Sequence, residues 1–573
     1  MKTLEQDLSA WAKERFSAAF PDANLDEVPL DVVPTAEERF GDYQCNAAMG
    51  LARALKRAPR QIAETVAATQ DPHPAIAGME IAGPGFLNLT LSNKWLAGRL
   101  QALEEDSRLG VPAEGDGRTV VLDYSGPNVA KQMHVGHIRS TLIGNALDRL
   151  HRFMGFRVLS DNHIGDWGTQ FGLLIQGYRH LLDDAAFDAD PVEELERIYV
   201  ESQQRSEQDP DWLEQARREL VKLQKGDEES LRIWRRFMEA SRTENEKIYQ
   251  RLGVSFDLQR GESFYNDRLP ALVERLVRQG IAEESEGALV VNLEEEGLGV
   301  CIVRKRDGGF NYATTDLATI ESRIEEFQPD EIVYVTDERQ QLHFRQVFAV
   351  ARRLGIRVGL VHIWFGPMRS AEGTFSTRKG NVIKLHRLLD EAERRALAMV
   401  QEASPQMPAD QQKEVARALG IGALKYADLC QNPQSGVNFT WQKALALDGN
   451  SAPYLQYAYA RIASVQDKYR ERFPDGDLAA HPIVLGEPAE RRLALRLLRF
   501  PDALSRACRQ NKPSILADYL FDLAQVYSSF YQNVPFLQAE EGCRESRVRI
   551  CGVTARVLRQ GLDLLGIETP SRI

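Results

Sequence analysis

The residues most able to do chemistry are His134 and His137, two imidazoles three positions apart with Gly136 between them. A short β-branched run, residues 119–123, and a loop carrying Ser125-Gly126-Pro127-Asn128 come before them. Ile138, Leu142, Ala146, Leu147 and Leu150 follow at helical spacing. The pattern reads as strand, loop and helix start. Unpaired N–H groups and the helix dipole at such a start favour anions, so phosphate is the natural ligand. Gly136 leaves room for a flat base or ribose to approach the backbone. Two imidazoles can then donate hydrogen bonds as charge builds on phosphate. Zinc ligation and an ordinary surface pair are the alternatives. Zinc lacks support, because no HExxH glutamate and no cysteine partner is near.

A second cluster, residues 374–381 (TFSTRKGN), follows a strand candidate and a Gly366-Pro367 turn. Ser376 and Thr377 bring hydroxyls, and Arg378 and Lys379 bring charge beside Gly380. Such a loop can close over phosphates and neutralise a leaving pyrophosphate, or be a basic surface turn. Residues 162–172 (NHIGDWGTQFG) form a polar, Gly-rich loop with one large ring, Trp167. It suits the wall of a small-molecule pocket and equally a structural turn.

The elements that must position these groups follow from the bulk pattern. With 573 residues the chain exceeds one compact core, and about two to four domains are expected. A formal net charge of −12 excludes a nucleic-acid coat working by bulk positive charge, though it leaves room for a local basic face. The acidic stretches at 183–190 and 284–296 read as solvated surface. The cysteines form no C-x-x-C pair, which argues against a zinc ribbon or dithiol site, and scattered thiols fit the cytosol. The N-terminus lacks an apolar signal core. No apolar run reaches the roughly 18–20 residues that span a bilayer. A soluble, cytoplasmic protein without membrane contact is expected.

Along the chain, residues 1–110 read as an α+β unit whose Gly83-Pro84-Gly85 turn separates two alternating runs. Residues 117–390 read as α/β, with further strands at 157–159, 288–291, 300–304, 331–335 and 360–364. Helical patterns between them suggest a parallel sheet with crossover helices, interrupted by a charged helical insertion at about 180–255. Residues 391–573 read as all-α. They carry Tyr454, Tyr457 and Tyr531 among cations such as Arg461, which suits stacking on unpaired bases or simple core filling.

The 22 residues from Asp123 to Gly144, DYSGPNVAKQMHVGHIRSTLIG, closely resemble the nucleotide-binding motif of class I aminoacyl-tRNA synthetases in the arginyl form. Residues 162–172, 448–458 (DGNSAPYLQYA) and 553–570 resemble the same family, as do Phe40-Gly41-Asp42-Tyr43-Gln44 and 83–88. The resemblance implies a multidomain α/β fold: a Rossmann-type catalytic domain, an N-terminal domain touching the tRNA elbow, and a helical anticodon-binding domain. It implies ATP, carried with Mg2+, L-arginine and tRNA(Arg) as partners, and no protein-bound structural metal. A monomer is expected. ATP would be met by His134, Gly136, His137, Ser376, Thr377 and Arg378. In the second motif Thr374 and Arg378 stand at the two lysine positions of the class, so Lys131 would share the catalytic role with Arg378 and Lys379.

Specificity for a guanidinium asks for a carboxylate beside a hydroxyl or ring. Tyr312 and Asp316, at i and i+4, offer these on one helical face; a surface acid near a helix start is the plain reading of Asp316. The resemblance adds Asp123 as a second acid, Asn128 and Gln340 for the amino-acid backbone groups, and Ser125 and Trp167 at the arginine site. Phe40, Asp42, Gln44, Tyr454, Tyr457 and Tyr531 would face tRNA. The family often has Glu at the position of Asp123 and Ser at that of Gly126. Three rivals differ in chemistry: a cysteine-specific synthetase, which lacks a zinc set here; a small nucleotidyltransferase, which needs no Tyr-rich helical domain; and a non-catalytic RNA-binding relative, against which intact His134, His137 and Lys131 count.

Overall fold

The computed structural model describes residues 2–25, 28–69, 73–370 and 383–573. The N-terminal unit is α+β, as expected. Its Leu4–Ala19 helix is capped reciprocally by Thr3 and Gln6, and buries Leu4, Leu8, Ala12 and Phe16 at i+4 spacing. The Gly83-Pro84-Gly85 turn closes a hairpin between Ile76–Ala82 and Phe86–Leu91. Val32–Pro34 and Tyr43–Cys45 complete an antiparallel four-stranded sheet.

The central sheet has four parallel strands in the order Gly359–Phe365, Glu331–Asp337, Thr119–Asp123, Arg157–Asp161. All five residues of Thr119–Asp123 are buried, which accounts for its unbroken apolar run. The register sets His362, Tyr334, Asp123 and Asp161 side by side across the four strands. The segments at 288–291 and 300–304, expected in this sheet, stand outside it. They form a separate antiparallel sheet of Glu283–Ser285, Ala288–Leu293 and Gly299–Arg304. The reason is the link between them: it runs only from Glu294 to Leu298, far short of the dozen or more residues a parallel crossover needs.

The insertion comprises helices Gln170–Leu181, Asp184–Ala189, Pro191–Gln208, Pro210–Gln224 and Glu228–Leu252. Asp190 and Asp209 cap two of them with proline in the first helical turn. Helix Leu385–Ala403 runs unbroken through the 390/391 boundary expected from the sequence. The rest is helical except for one short strand among the described residues, Val437–Phe439, which pairs with Met368–Ser370. No helix among them is long and apolar enough to cross a membrane.

Ion pairs join these units, Asp42 with Arg491 and Arg139 with Asp428 among them. Asp42, expected to face RNA, is instead buried against helix Pro488–Leu498. Arg491 donates to its two oxygens at 2.8 and 2.6 Å, and the Leu91 N–H donates at 2.6 Å. A carboxylate so placed is spent on joining the N-terminal unit to the helical region. Arg139, near the start of helix Val135–Phe153, is buried and donates to Asp428 at 2.7 Å and to the carbonyls of Gly366 and Ser435. Breaking a buried pair from one side strands the other charge. Asp428→Ala is therefore expected to cost about 3–5 kcal/mol, read as a lower urea midpoint; an unchanged midpoint would remove this pair from the account.

Candidate active site

The loop leaving strand Thr119–Asp123 must turn sharply to reach the next helix. Ser125, Gly126 and Ala130 all adopt positive φ, at 76°, 56° and 60°; for the two non-glycines this is a strained conformation held by surrounding bonds. Ser125 is fixed in the interior: its N–H donates to Ser140 Oγ at 2.9 Å, and its Oγ bonds Thr141 Oγ1 and Tyr249 OH at 2.9 and 2.8 Å. Its hydroxyl, expected at the ligand, is thus engaged in holding the loop.

Helix Val135–Phe153 begins with a reciprocal cap made by its histidines. His134 Nδ1 accepts from the Gly136 N–H at 2.9 Å, and His137 Nδ1 accepts from the His134 N–H at 3.2 Å. With both Nδ1 atoms acting as acceptors, the proton of each neutral ring sits on Nε2. Both rings titrate low. Burial lowers His134, aided by Lys131 and Arg339; burial and then His134 lower His137 to about 3. At neutral pH the site therefore offers two neutral Nε2–H donors, with ring centroids 4.1 Å apart. Gly136 permits this: a Cβ there would lie 2.6 Å from His134 Cε1.

Lys131 is exposed, its Nζ 4.8 Å from the Tyr199 ring centroid. The segment at 383–385 crosses beside the histidines: the Val135 N–H donates to Ile383 O, the Leu385 N–H donates to Met133 O, and Lys384 pairs with His134 as a β-bridge. Ser376, Thr377, Arg378 and Lys379 lie outside the described residues.

A second group of side chains collects acids. Asn311 caps helix Tyr312–Phe327, with Tyr312 59% exposed at its start and Asp316 one turn on. Asp316 Oδ2 lies 2.5 Å from His343 Nε2, a contact that raises the imidazole against the opposing pull of burial. Near it is Glu262, which the sequence reading missed. Burial, then Asp316, then Asp166 push Glu262 up to about 8. Glu262 carries no motif of its own. It arrives because 258–262 runs alongside 160–164: the Glu262 N–H donates to Ile164 O, with bridges Asp161–Leu258 and Ile164–Gly261. Asp166 is held by the Ser263 N–H and Oγ at 2.8 and 2.6 Å.

Asn128 and Trp167 are drawn together by the pairing of their loops. The Val129 N–H donates to Gly165 O, and a Cβ on Gly165 would lie 2.3 Å from Asn128 Oδ1. Trp167 packs edge-on to Trp234, whose indole N–H donates to Asp166 O at 2.9 Å. Gln340 is exposed just before helix Gln341–Arg353. Asp123 is buried and accepts from Arg323 at 2.6 Å.

Further away, Phe40 is half-buried under Arg39, and Gln44 bonds Asn88 at 2.8 Å. Tyr454 bonds Ser528, Tyr457 is half-buried, and Arg461 stacks over Tyr531. The neighbouring Tyr527 and Phe530 are fully buried core.

Gly136→Ala is expected to turn the His134 ring aside while leaving the core intact. Turnover at this site should fall by about a hundredfold, since a shift of an ångström at a reacting group costs that much, while the urea midpoint stays put. Full turnover in the alanine variant would refute the need for this ring position.

Comparison with known proteins identifies the family of the chain as a whole. The family model "tRNA synthetases class I (R), catalytic domain" matches residues 100–441. The "Arginyl tRNA synthetase N terminal domain" matches 2–91, and the "DALR anticodon binding domain" matches 455–573. The arginine–tRNA ligase of Fusobacterium nucleatum is 42% identical over 568 residues, 99% of each chain. That of Chromobacterium violaceum is 43% identical, covering 97% of this chain and 98% of its own. The arginyl-tRNA synthetase structures from Plasmodium falciparum and Thermus thermophilus superpose with TM-scores of 0.85 and 0.81, each at 25% identity over 100% of both chains. Family models that together span nearly the whole chain, and relatives alike over its full length, show that the chain belongs to the class I arginyl-tRNA synthetases.

Proposed function

We propose that this protein is an arginine–tRNA ligase: ATP and L-arginine form arginyl-adenylate and pyrophosphate, and the arginyl group passes to the terminal ribose of tRNA(Arg). The observation that carries the amino-acid choice is the pocket of Glu262, Asp316 and Tyr312. Among the described residues no Lys or Arg is paired with Glu262, and its carboxyl is held protonated at neutral pH by burial and by the two acids near it. A guanidinium is the ligand that answers such a site, with a planar fork for two carboxylates and a face for Tyr312. Asn128, Gln340 and Trp167 would hold the rest of the amino acid, with Asp123 close by.

Nε2–H of His134 and Nε2–H of His137 would donate to phosphate oxygens as charge moves toward the leaving pyrophosphate. Being neutral, they stabilise that charge without losing a proton. Lys131, with Arg378 and Lys379, would take up the pyrophosphate charge, and Mg2+ would arrive with ATP. The carboxylate of arginine is the nucleophile toward the α-phosphorus, so no protein nucleophile is required; holding the reactants in line does the work. Phe40, Gln44, Tyr454, Tyr457 and Tyr531 would meet tRNA. Residues 1–110, 117–390 and 391–573 are read as the elbow-binding, catalytic and anticodon-binding domains of a cytoplasmic monomer.

Charging of tRNA should proceed with arginine and fail with lysine, citrulline and cysteine; charging with another amino acid would overturn the assignment. Asp316→Ala should raise the arginine KM by about 30-fold or more, as the loss of about 2 kcal/mol from a buried charge contact implies, with the ATP KM unchanged. An unchanged arginine KM would take Asp316 out of the pocket.

A further inference from the structure

Helix Tyr312–Phe327 carries the pocket residues Tyr312 and Asp316 at its start, and Arg323 stands seven residues beyond Asp316 and eleven beyond Tyr312. At 3.6 residues per turn all three share one stripe of the helix. The Arg323 side chain is 1% exposed. Its Nη2 donates to Asp123 Oδ2 at 2.6 Å and to Asp161 Oδ2 at 2.8 Å, and its Cζ lies 5.5 Å from the Tyr334 ring centroid. Asp161, Asp123 and Tyr334 are register neighbours on three adjacent strands. One guanidinium thus lies across the row at which three strands of the parallel sheet approach their C-terminal ends.

We propose that Arg323 is a positioning residue for arginine recognition: by keying helix Tyr312–Phe327 to the strand-end carboxylates, it sets the rotation and height at which Tyr312 and Asp316 meet the substrate guanidinium. One residue of slip turns the stripe by about 100° and lifts it about 1.5 Å, and neither carboxylate could then be reached. The loop from Asp123 toward His134 has its own anchors, the bonds of Ser125 to Ser140, Thr141 and Tyr249, so the phosphate site does not depend on Arg323.

Packing alone does not account for an arginine here. Its Nε and Nη1 and the Asp161 Oδ1 are buried without a hydrogen-bond partner. A buried ion pair left partly unsatisfied is a poor stabiliser, and an apolar side chain of similar volume commonly does as well or better. What an apolar residue lacks is direction: it cannot select two particular carboxylates.

The inference rests on the proposed arginine activation, and the experiment separates the two. Arginine and ATP KM values for tRNA charging are measured in the full-length wild type, Arg323→Lys, Asp161→Asn, and the charge-matched double variant Arg323→Met with Asp161→Asn. Failure of the wild type to charge arginine would overturn the activity itself. If the activity holds, the double variant should raise the arginine KM by between about tenfold and a hundredfold, the scale of an ångström-size misplacement, and leave the ATP KM within about twofold. Arg323→Lys, which keeps the charge on a side chain of shorter reach, and Asp161→Asn, which leaves Arg323 one charged anchor, should shift it in the same direction by less. Selectivity for arginine over lysine should narrow in step. Unchanged arginine KM values in the variants, or arginine and ATP KM values rising together, would overturn the positioning role, as would a lowered melting temperature with wild-type KM values.

Discussion

Negative charge gathered at the C-terminal end of the parallel sheet is the constraint on which the rest of this structure depends. Asp123, Asp161, Asp166, Asp316 and Glu262 are close enough to perturb one another or shared neighbours. Arg323 answers the first two, and His343 answers Asp316. Asp166 is held by Ser263. Burial first, and then the two acids beside it, let Glu262 keep its proton at a pH where an ordinary carboxyl has lost it. Folding places charge there that the protein does not balance. Such an arrangement is costly to build, and the cationic ligand proposed for it would offset that cost.

The phosphate side of the site is solved with neutral groups. Lys131 and Arg339 lie near enough to depress His134, and the reciprocal cap directs both Nδ1 atoms inward, leaving Nε2–H outward. In the proposed reaction, cations nearby and neutral donors at the helix start would divide the work between attracting a polyanion and placing its oxygens. The two halves are tied mechanically as well as electrically. Arg139 joins the histidine-bearing helix to the helical region through Asp428, and Tyr249, on the last insertion helix, bonds Ser125 and Asn162 in the two site loops.

What the sequence made legible was what is local. The strand at 119–123, its glycine-marked loop, the helix beginning after His134 and the hairpin around Gly83–Gly85 are each encoded within a few residues. The pairing of Tyr312 with Asp316 on one face follows from helical spacing. Contacts between distant segments were not legible. Arg323 meets Asp123 from 200 residues away, and Arg491 takes Asp42 from 449, so a carboxylate that reads as a binding residue proves to be a structural partner. Glu262 was missed because its value comes from the neighbours that 258–262 acquires by running alongside 160–164. The strands at 288–291 and 300–304 were recognised as strands but assigned to the wrong sheet. Their periodicity fixes conformation, while only the short link between them excludes a parallel partner.

Proton release on arginine binding tests the central claim of a cation-demanding pocket most directly. A guanidinium beside Glu262 favours its ionised form, so binding at pH 7, below the free-site value of about 8, must expel a proton; well above pH 8 it must not. Calorimetric titration of arginine into the protein, repeated in buffers of different ionisation enthalpy, counts those protons. The structure predicts a release approaching one proton at pH 7, vanishing above about pH 9 and abolished in Glu262→Gln. Arginine binding with no proton release at pH 7, or with the same release in Glu262→Gln, would contradict it.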